Sequence, residues 1–184
     1  MLKNITAWFS ILVLTFLIVS CGNKSSKTKT PPVSQSPTPS STVQNNNGGG
    51  KFDFTAYDIN GTLRNSNEWI GKEPVVINFW GTWCPPCRKE IPDLVKVYNA
   101  YHNKGIEILG LAVKDQPNKV KQFSQQNGMN WVMLIAETNL AMRYNIRGVP
   151  TTIFIDRNGK EVGRFVGPRD YNTFKQAFEK LLQS

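Results

Sequence analysis

The chain has 184 residues and a formal charge of +9, from 22 Lys and Arg against 13 Asp and Glu, and 40% of its residues are hydrophobic. That length suits one domain with a substantial core plus a terminal extension. The basic excess is not arranged for nucleic acid: there is no basic–aromatic interleaving and no binding motif, and Lys114, Lys119, Lys121, Arg143, Arg147, Arg157, Arg164 and Arg169 are scattered as on an ordinary solvated surface.

Lys3 precedes an almost wholly apolar run from Ile5 to Val19, which ends in Ile18-Val19-Ser20-Cys21. The run is shorter than the ~20 residues a spanning helix needs, so residues 1–20 read as a secretion signal. Its end resembles the bacterial lipobox, and that likeness implies cleavage before Cys21 and lipidation of its thiol. An uncleaved anchor helix is the rival reading and leaves the protein on the same face of the membrane. From Gly22 to Gly50 the chain is Ser, Thr, Pro, Asn, Gln, Lys and Gly, apart from Val33 and Val43, without one aromatic. Such a segment cannot bury enough apolar area to offset its ordering entropy, so residues 21–50 are expected to be a disordered tether. Residues 51–184 remain for the folded domain.

Phe52 to Leu63 alternates weakly around Asn60-Gly61, a hairpin signal. Val75 to Trp80 is a continuous apolar run, as in a strand buried on both faces. It leads into Trp83-Cys84-Pro85-Pro86-Cys87. Two cysteines separated by two residues at a strand-to-helix junction suit dithiol–disulfide exchange, in which one sulfur attacks and the second resolves the mixed disulfide. A helix starting here aims unpaired N–H groups and its positive end at a forming thiolate. Cys84 is then expected to be the exposed nucleophile and Cys87 the buried resolver.

Zinc uses the same spacing but wants four nitrogen or sulfur ligands, and the chain has three Cys and one His, His102. No metal or cofactor is therefore expected. A purely structural staple is weaker too, because closing so short a loop removes little entropy from the unfolded chain.

Arg88 to Lys104 carries a helical stripe of Ile91, Leu94, Val95, Tyr98 and Tyr101, with Pro92 inside it and Gly105 after it. Ile106 to Val113 is the next buried strand, parallel to the first by way of this helix. A polar helix around Asn118–Gln126, a strand Trp131–Ile135 and a helix Asn139–Tyr144 follow. Thr151–Asp156 and Lys160–Val166 flank the turn Asn158-Gly159 as an antiparallel pair. A last helix, Asp170–Gln183, turns Tyr171, Phe174, Phe178 and Leu181 inward, and His102 is expected to be an exposed bystander.

The segment Gly148-Val149-Pro150-Thr151-Thr152-Ile153-Phe154-Ile155-Asp156, taken with Phe79 to Cys87, resembles the thioredoxin superfamily over about residues 52–184. The resemblance implies an α/β fold: a central mixed sheet flanked by helices, an N-terminal hairpin, and a helix–strand insertion before a cis Pro150 packed beside the disulfide. Thioredoxins proper have a buried Asp where this chain has Asn78, which cannot shuttle a proton. Glu90, three residues after Cys87, returns at helical spacing to the cysteine end. Asn there and Glu here are the pattern of the TlpA/ResA-type extracytoplasmic thiol–disulfide oxidoreductases, which act in cytochrome c maturation and related reduction. Glu90 is then the candidate proton acceptor, with a helix-dipole carboxylate as the alternative.

The implied activity is reduction of disulfides in extracytoplasmic partner proteins, fed by a membrane electron donor, by a monomer held to the membrane through its lipid anchor. Trp83, Pro85, Pro86, Val149 and Pro150 would form the platform for the partner. The prolines at 85 and 86 lack N–H donors, which leaves a Cys84 thiolate less stabilised and the couple more reducing. A disulfide oxidase and a thioredoxin-like metallochaperone or binding module are the alternatives.

Overall fold

The computed structural model describes residues 51–184. The expectations for residues 1–20 and 21–50, Cys21 included, lie outside the described residues.

The strands are β1 (Thr55–Asp58), β2 (Leu63–Asn65), β3 (Val75–Trp80), β4 (Glu107–Val113), β5 (Val132–Ala136), β6 (Thr151–Ile155) and β7 (Glu161–Val166). They form one mixed sheet in the order β2-β1-β5-β4-β3-β6-β7. β3 pairs in parallel with β4 and antiparallel with β6, so it has neighbours on both sides. Every residue of β3 is buried, as its apolar run requires, and that includes Asn78, the one polar residue within it. The hairpin β1–β2 joins the sheet through β5, with Tyr57 opposite Ile135, so the strand that follows β4 and precedes β6 in the sequence is what anchors the N-terminal hairpin.

The helices are α1 (Pro85–Tyr101), α2 (Pro117–Gln126), α3 (Thr138–Arg143) and α4 (Tyr171–Leu182), each within three residues of its expected bounds. One core packs Ile91, Leu94, Phe174 and Phe178 of α1 and α4 against Val76, Ile108 and Phe154. The other packs Phe52, Phe54, Leu140 and Tyr144 against Ile77, Phe79, Leu109 and Leu111. Full burial of each such aliphatic or phenyl side chain is worth about 1.5–3 kcal/mol, which makes these two layers the main support of the site.

α1 runs on through Pro92 to Tyr101. Tyr171 is only half-buried, whereas Phe174, Phe178 and Leu181 face the core as expected. A 3-10 turn, Ser66–Glu68, was not expected from the sequence; Asn65 and Glu68 form a capping box that starts it. His102 is half-exposed but packs at a tilt against Tyr98, with ring centroids 4.7 Å apart. Among the described residues no helix is long and apolar enough to cross a membrane.

Candidate active site

The end of β3 hands the chain to α1 through Gly81-Thr82-Trp83-Cys84. Side chain and backbone of Thr82 both reach Asp115, just beyond β4: Thr82 N–H donates to Oδ2 at 2.6 Å and its hydroxyl to Oδ1 at 3.1 Å. The Trp83 indole N–H donates to the Val113 carbonyl at 3.0 Å. The indole lies so close over Gly81 that a Cβ there would stand 2.6 Å from Nε1, which is why this position needs glycine. The loop is thus clasped to the end of the neighbouring strand, and Trp83 is held flat while 53% exposed.

Cys84 is the N-cap of α1 and forms a disulfide with Cys87, the Cα atoms 5.3 Å apart. Of the first three helical positions, Pro85 and Pro86 have no N–H, and the third, Cys87, donates its N–H to Cys84 Sγ at 3.2 Å. The positive helix end is therefore focused on one sulfur through one backbone donor.

The expectation of an exposed Cys84 is corrected. Cys84 is 2% exposed and Cys87 0%. In the disulfide the Cys84 sulfur is drawn back towards Cys87, and the Val149 carbonyl oxygen lies over it at 3.6 Å. The exposed members of the motif are Trp83, Pro85 and Pro86.

Glu90 sits one turn further along α1 and is also buried, at 2% exposure. Its Oε1 accepts from Asn78 Nδ2 at 3.2 Å, and its Oε2 accepts from the Arg169 backbone N–H at 3.1 Å. Asn78 Nδ2 donates as well to Thr152 Oγ1 at 3.0 Å, so α1, β3 and β6 meet in one polar contact. The Arg169 guanidinium is bonded to the carbonyls of Val166, Gly167 and Pro168 and acts on Glu90 only as a charge without an ion-pair contact. Burial therefore dominates, and the Glu90 carboxyl is pushed up to about 7 despite these donors. Asn78 Oδ1 is buried without a partner among the described residues.

The Val149–Pro150 peptide bond is cis. Val149 is half-buried, and Pro150, expected on the partner platform, is buried. The site thus gathers Trp83, Cys84, Pro85, Pro86, Cys87, Glu90, Val149 and Pro150 at one end of the sheet. Sequence reading missed Thr82, Asp115, Thr152 and Arg169. Asp115 had a usable signal, since a polar residue just past the carboxyl end of a parallel strand lies where α/β sheets place their sites. Among the described residues no group of three or more His, Cys, Asp or Glu could hold a metal ion.

A buried cysteine pair, disulfide-bonded at a helix start, beside a cis-proline loop and a neutralisable carboxyl, defines a thioredoxin-like redox protein. Residues 49–161 match the AhpC/TSA family. The chain is 32% identical over 130 residues to a thiol-disulfide oxidoreductase ResA of Geobacillus thermodenitrificans, covering 70% of this chain and 74% of that one. A solved thiol:disulfide interchange protein of the thioredoxin family from Chlorobium tepidum shares 33% identity at a TM-score of 0.64, over 71% of this chain and 93% of that one. A secreted Mycobacterium tuberculosis disulfide oxidoreductase, described as homologous to DsbE of E. coli, shares 25% identity at a TM-score of 0.63, over 71% and 98%. The chain belongs to the AhpC/TSA family within the thioredoxin superfamily and is a thiol–disulfide oxidoreductase of the ResA type.

Proposed function

We propose that this oxidoreductase works outside the cytoplasm as a reductant of disulfides in partner proteins, such as those of cytochrome c maturation. Residues 1–20 direct export, Cys21 carries the lipid, residues 21–50 are the tether, and residues 51–184 are the catalytic domain of a monomer. The secreted relative from M. tuberculosis supports the compartment. The observation that carries the direction of electron flow is the donor count at Cys84: one backbone N–H reaches its sulfur where a helix start without prolines offers more. A thiolate with fewer donors is less stable, the dithiol form is disfavoured, and the pair gives up its electrons more readily.

The cycle begins with the Cys84 thiolate attacking a partner disulfide. A bond forms between Cys84 Sγ and one partner sulfur, and the other partner sulfur leaves as a thiolate. The Cys87 thiolate, its proton accepted by Glu90, then attacks Cys84 Sγ. This closes the Cys84–Cys87 disulfide and releases the second partner thiol. Two electrons have passed to the partner, and a membrane dithiol donor restores the reduced pair. Trp83, Pro85, Pro86 and Val149 offer the surface on which the partner lies, while Pro150 shapes the loop beneath it.

Trapping tests the assignment of the two sulfurs. Cys87→Ser should accumulate mixed disulfides with partner proteins, because nothing resolves them, and Cys84→Ser should not. Equal trapping by both variants would overturn it.

A further inference from the structure

Arg143, Arg147 and Arg164 are far apart in kind of sequence position, one in a helix, one in a loop and one in a strand. The fold brings them to one cavity of about 640 Å3, together with Lys51, Thr151, Glu161 and Val166. Four cations and one carboxylate line it. That carboxylate is already engaged: Glu161 accepts from Lys51 at 2.9 Å and from Arg164 at 2.8 and 3.2 Å. Arg143 bonds only uncharged oxygens, the Asp53 carbonyl at 2.7 Å and the Tyr144 hydroxyl at 3.3 Å. Arg147 has a single long contact, 3.4 Å to Asn145 Oδ1. Neither forms an ion pair among the described residues. The chain's other residues do not supply the missing anion either, since residues 1–50 contain no Asp or Glu.

The cavity is joined to the reaction centre by the chain segment from Arg147 to Thr151. Arg147 and Thr151 line it, and the Val149 carbonyl between them lies 3.6 Å from Cys84 Sγ. Arg147 and Val149 are two residues apart, at most ~7 Å along the backbone. A partner whose disulfide engages Cys84 thus has a neighbouring part of its chain within reach of Arg147, at the mouth of a cavity that also holds Arg143, and neither guanidinium has a carboxylate among the described residues. Guanidinium is the side chain best shaped to take a carboxylate by paired hydrogen bonds.

We infer that this basic cavity is a recognition subsite for Asp or Glu side chains that flank the reacting disulfide of the partner protein. It selects acidic disulfide segments and orients them across the Val149–Pro150 loop. The subsite rests on the reading of the protein as one that engages partner disulfides at Cys84, and it deepens that reading by giving the partner a chemistry.

Two disulfide-cyclised peptides of equal length, one with glutamates beside its cysteines and one with glutamines, test it on the full chain. Binding to the oxidised protein is read by fluorescence anisotropy, and reduction by the dithiol form is read as kcat/KM. The glutamate peptide should bind at least about tenfold tighter at low salt, roughly what one charge-assisted pair is worth. Arg147→Gln alone should reduce that preference several-fold, and Arg143→Gln/Arg147→Gln should abolish it. Arg147→Gln breaks one long contact only, so it keeps the test open if the double variant fails to fold. Lys119→Gln/Lys180→Gln removes the same charge outside the cavity and should leave the preference intact. Equal binding of the two peptides overturns the subsite. So does a preference that survives the arginine variants or is lost equally with the lysine pair, which would assign it to net charge. Reduction of the bound glutamate peptide separates the two levels: failure of both peptides to be reduced, with the binding preference present, contradicts the reductase reading and leaves the subsite standing.

Discussion

Glu90 and Asn78 face each other inside the domain, Asn78 Nδ2 donating to Glu90 Oε1 at 3.2 Å with both residues buried. Both donors that reach Glu90 suit a carboxylate, yet among the described residues no side-chain cation forms an ion pair with it, and burial drives it towards the neutral form at about 7. A group poised between two protonation states near neutrality suits proton exchange with a thiol one helical turn away. The same poise costs stability, and the cost is measurable.

The folded protein holds the Glu90 proton up to about 7, whereas the ordinary glutamate value is 4.5. Stability from this group is therefore fully present below the ordinary value and falls as pH rises through the folded one. The loss reaches up to ~3 kcal/mol above both, at about 1.4 kcal/mol per unit. Glu90→Gln should unfold at higher urea than wild type at pH 8, by roughly 1–3 kcal/mol, and at a similar concentration at pH 4.5. A variant less stable than wild type at pH 8 would mean that the carboxylate is better stabilised than its two donors suggest.

The same substitution bears on chemistry. Alkylation of reduced Cys84 should bend with pH near the Glu90 titration in wild type and lose that inflection in Glu90→Gln. Superimposable alkylation profiles would reduce Glu90 to a helix carboxylate and leave Cys87 without a proton acceptor.

Asp115 holds the loop from the far strand by two hydrogen bonds to Thr82. Asp115→Ala leaves the Thr82 N–H without its acceptor, so it should cost about 1–3 kcal/mol in urea unfolding. It should also loosen Trp83, seen as a change in its fluorescence, because the indole bonds Val113 two residues before Asp115. Unchanged stability and fluorescence would show that the loop holds its shape without the clasp.

Cys21 is tested by metabolic labelling with a fatty acid. Cys21→Ala should lose the label and accumulate unprocessed precursor; retained label would place the lipid elsewhere.

Much of the fold was legible because it is local. Predominantly apolar runs gave β3 and β4, a helical stripe gave α1, and Asn158-Gly159 gave the β6–β7 turn. The cysteine motif was legible for the same reason, since Cys84, Pro85, Pro86 and Cys87 are consecutive positions of one helix start. What was not legible depends on which segments meet. The Val149 carbonyl that covers Cys84 comes from a loop 65 residues away, so the chain around Cys84 alone suggested an exposed sulfur. The Arg169 amide that serves Glu90 lies 79 residues on, and its own neighbours in sequence carry no sign of the contact. The arginines of the basic cavity looked scattered because helix, loop and strand contribute one each. The capping box at Asn65 and Glu68 is a local signal too, carried by their three-residue spacing.

The central claim is that Cys84 and Cys87 form a reducing couple. Its most direct test is the midpoint potential of that pair, measured by equilibrating the full chain in a glutathione or dithiothreitol buffer series. With two prolines in place of two N–H donors, the account predicts a midpoint at or below about −200 mV, in the range of glutaredoxins and thioredoxin. A midpoint above about −180 mV, among isomerases and oxidants, would contradict it and make the protein a donor of disulfides.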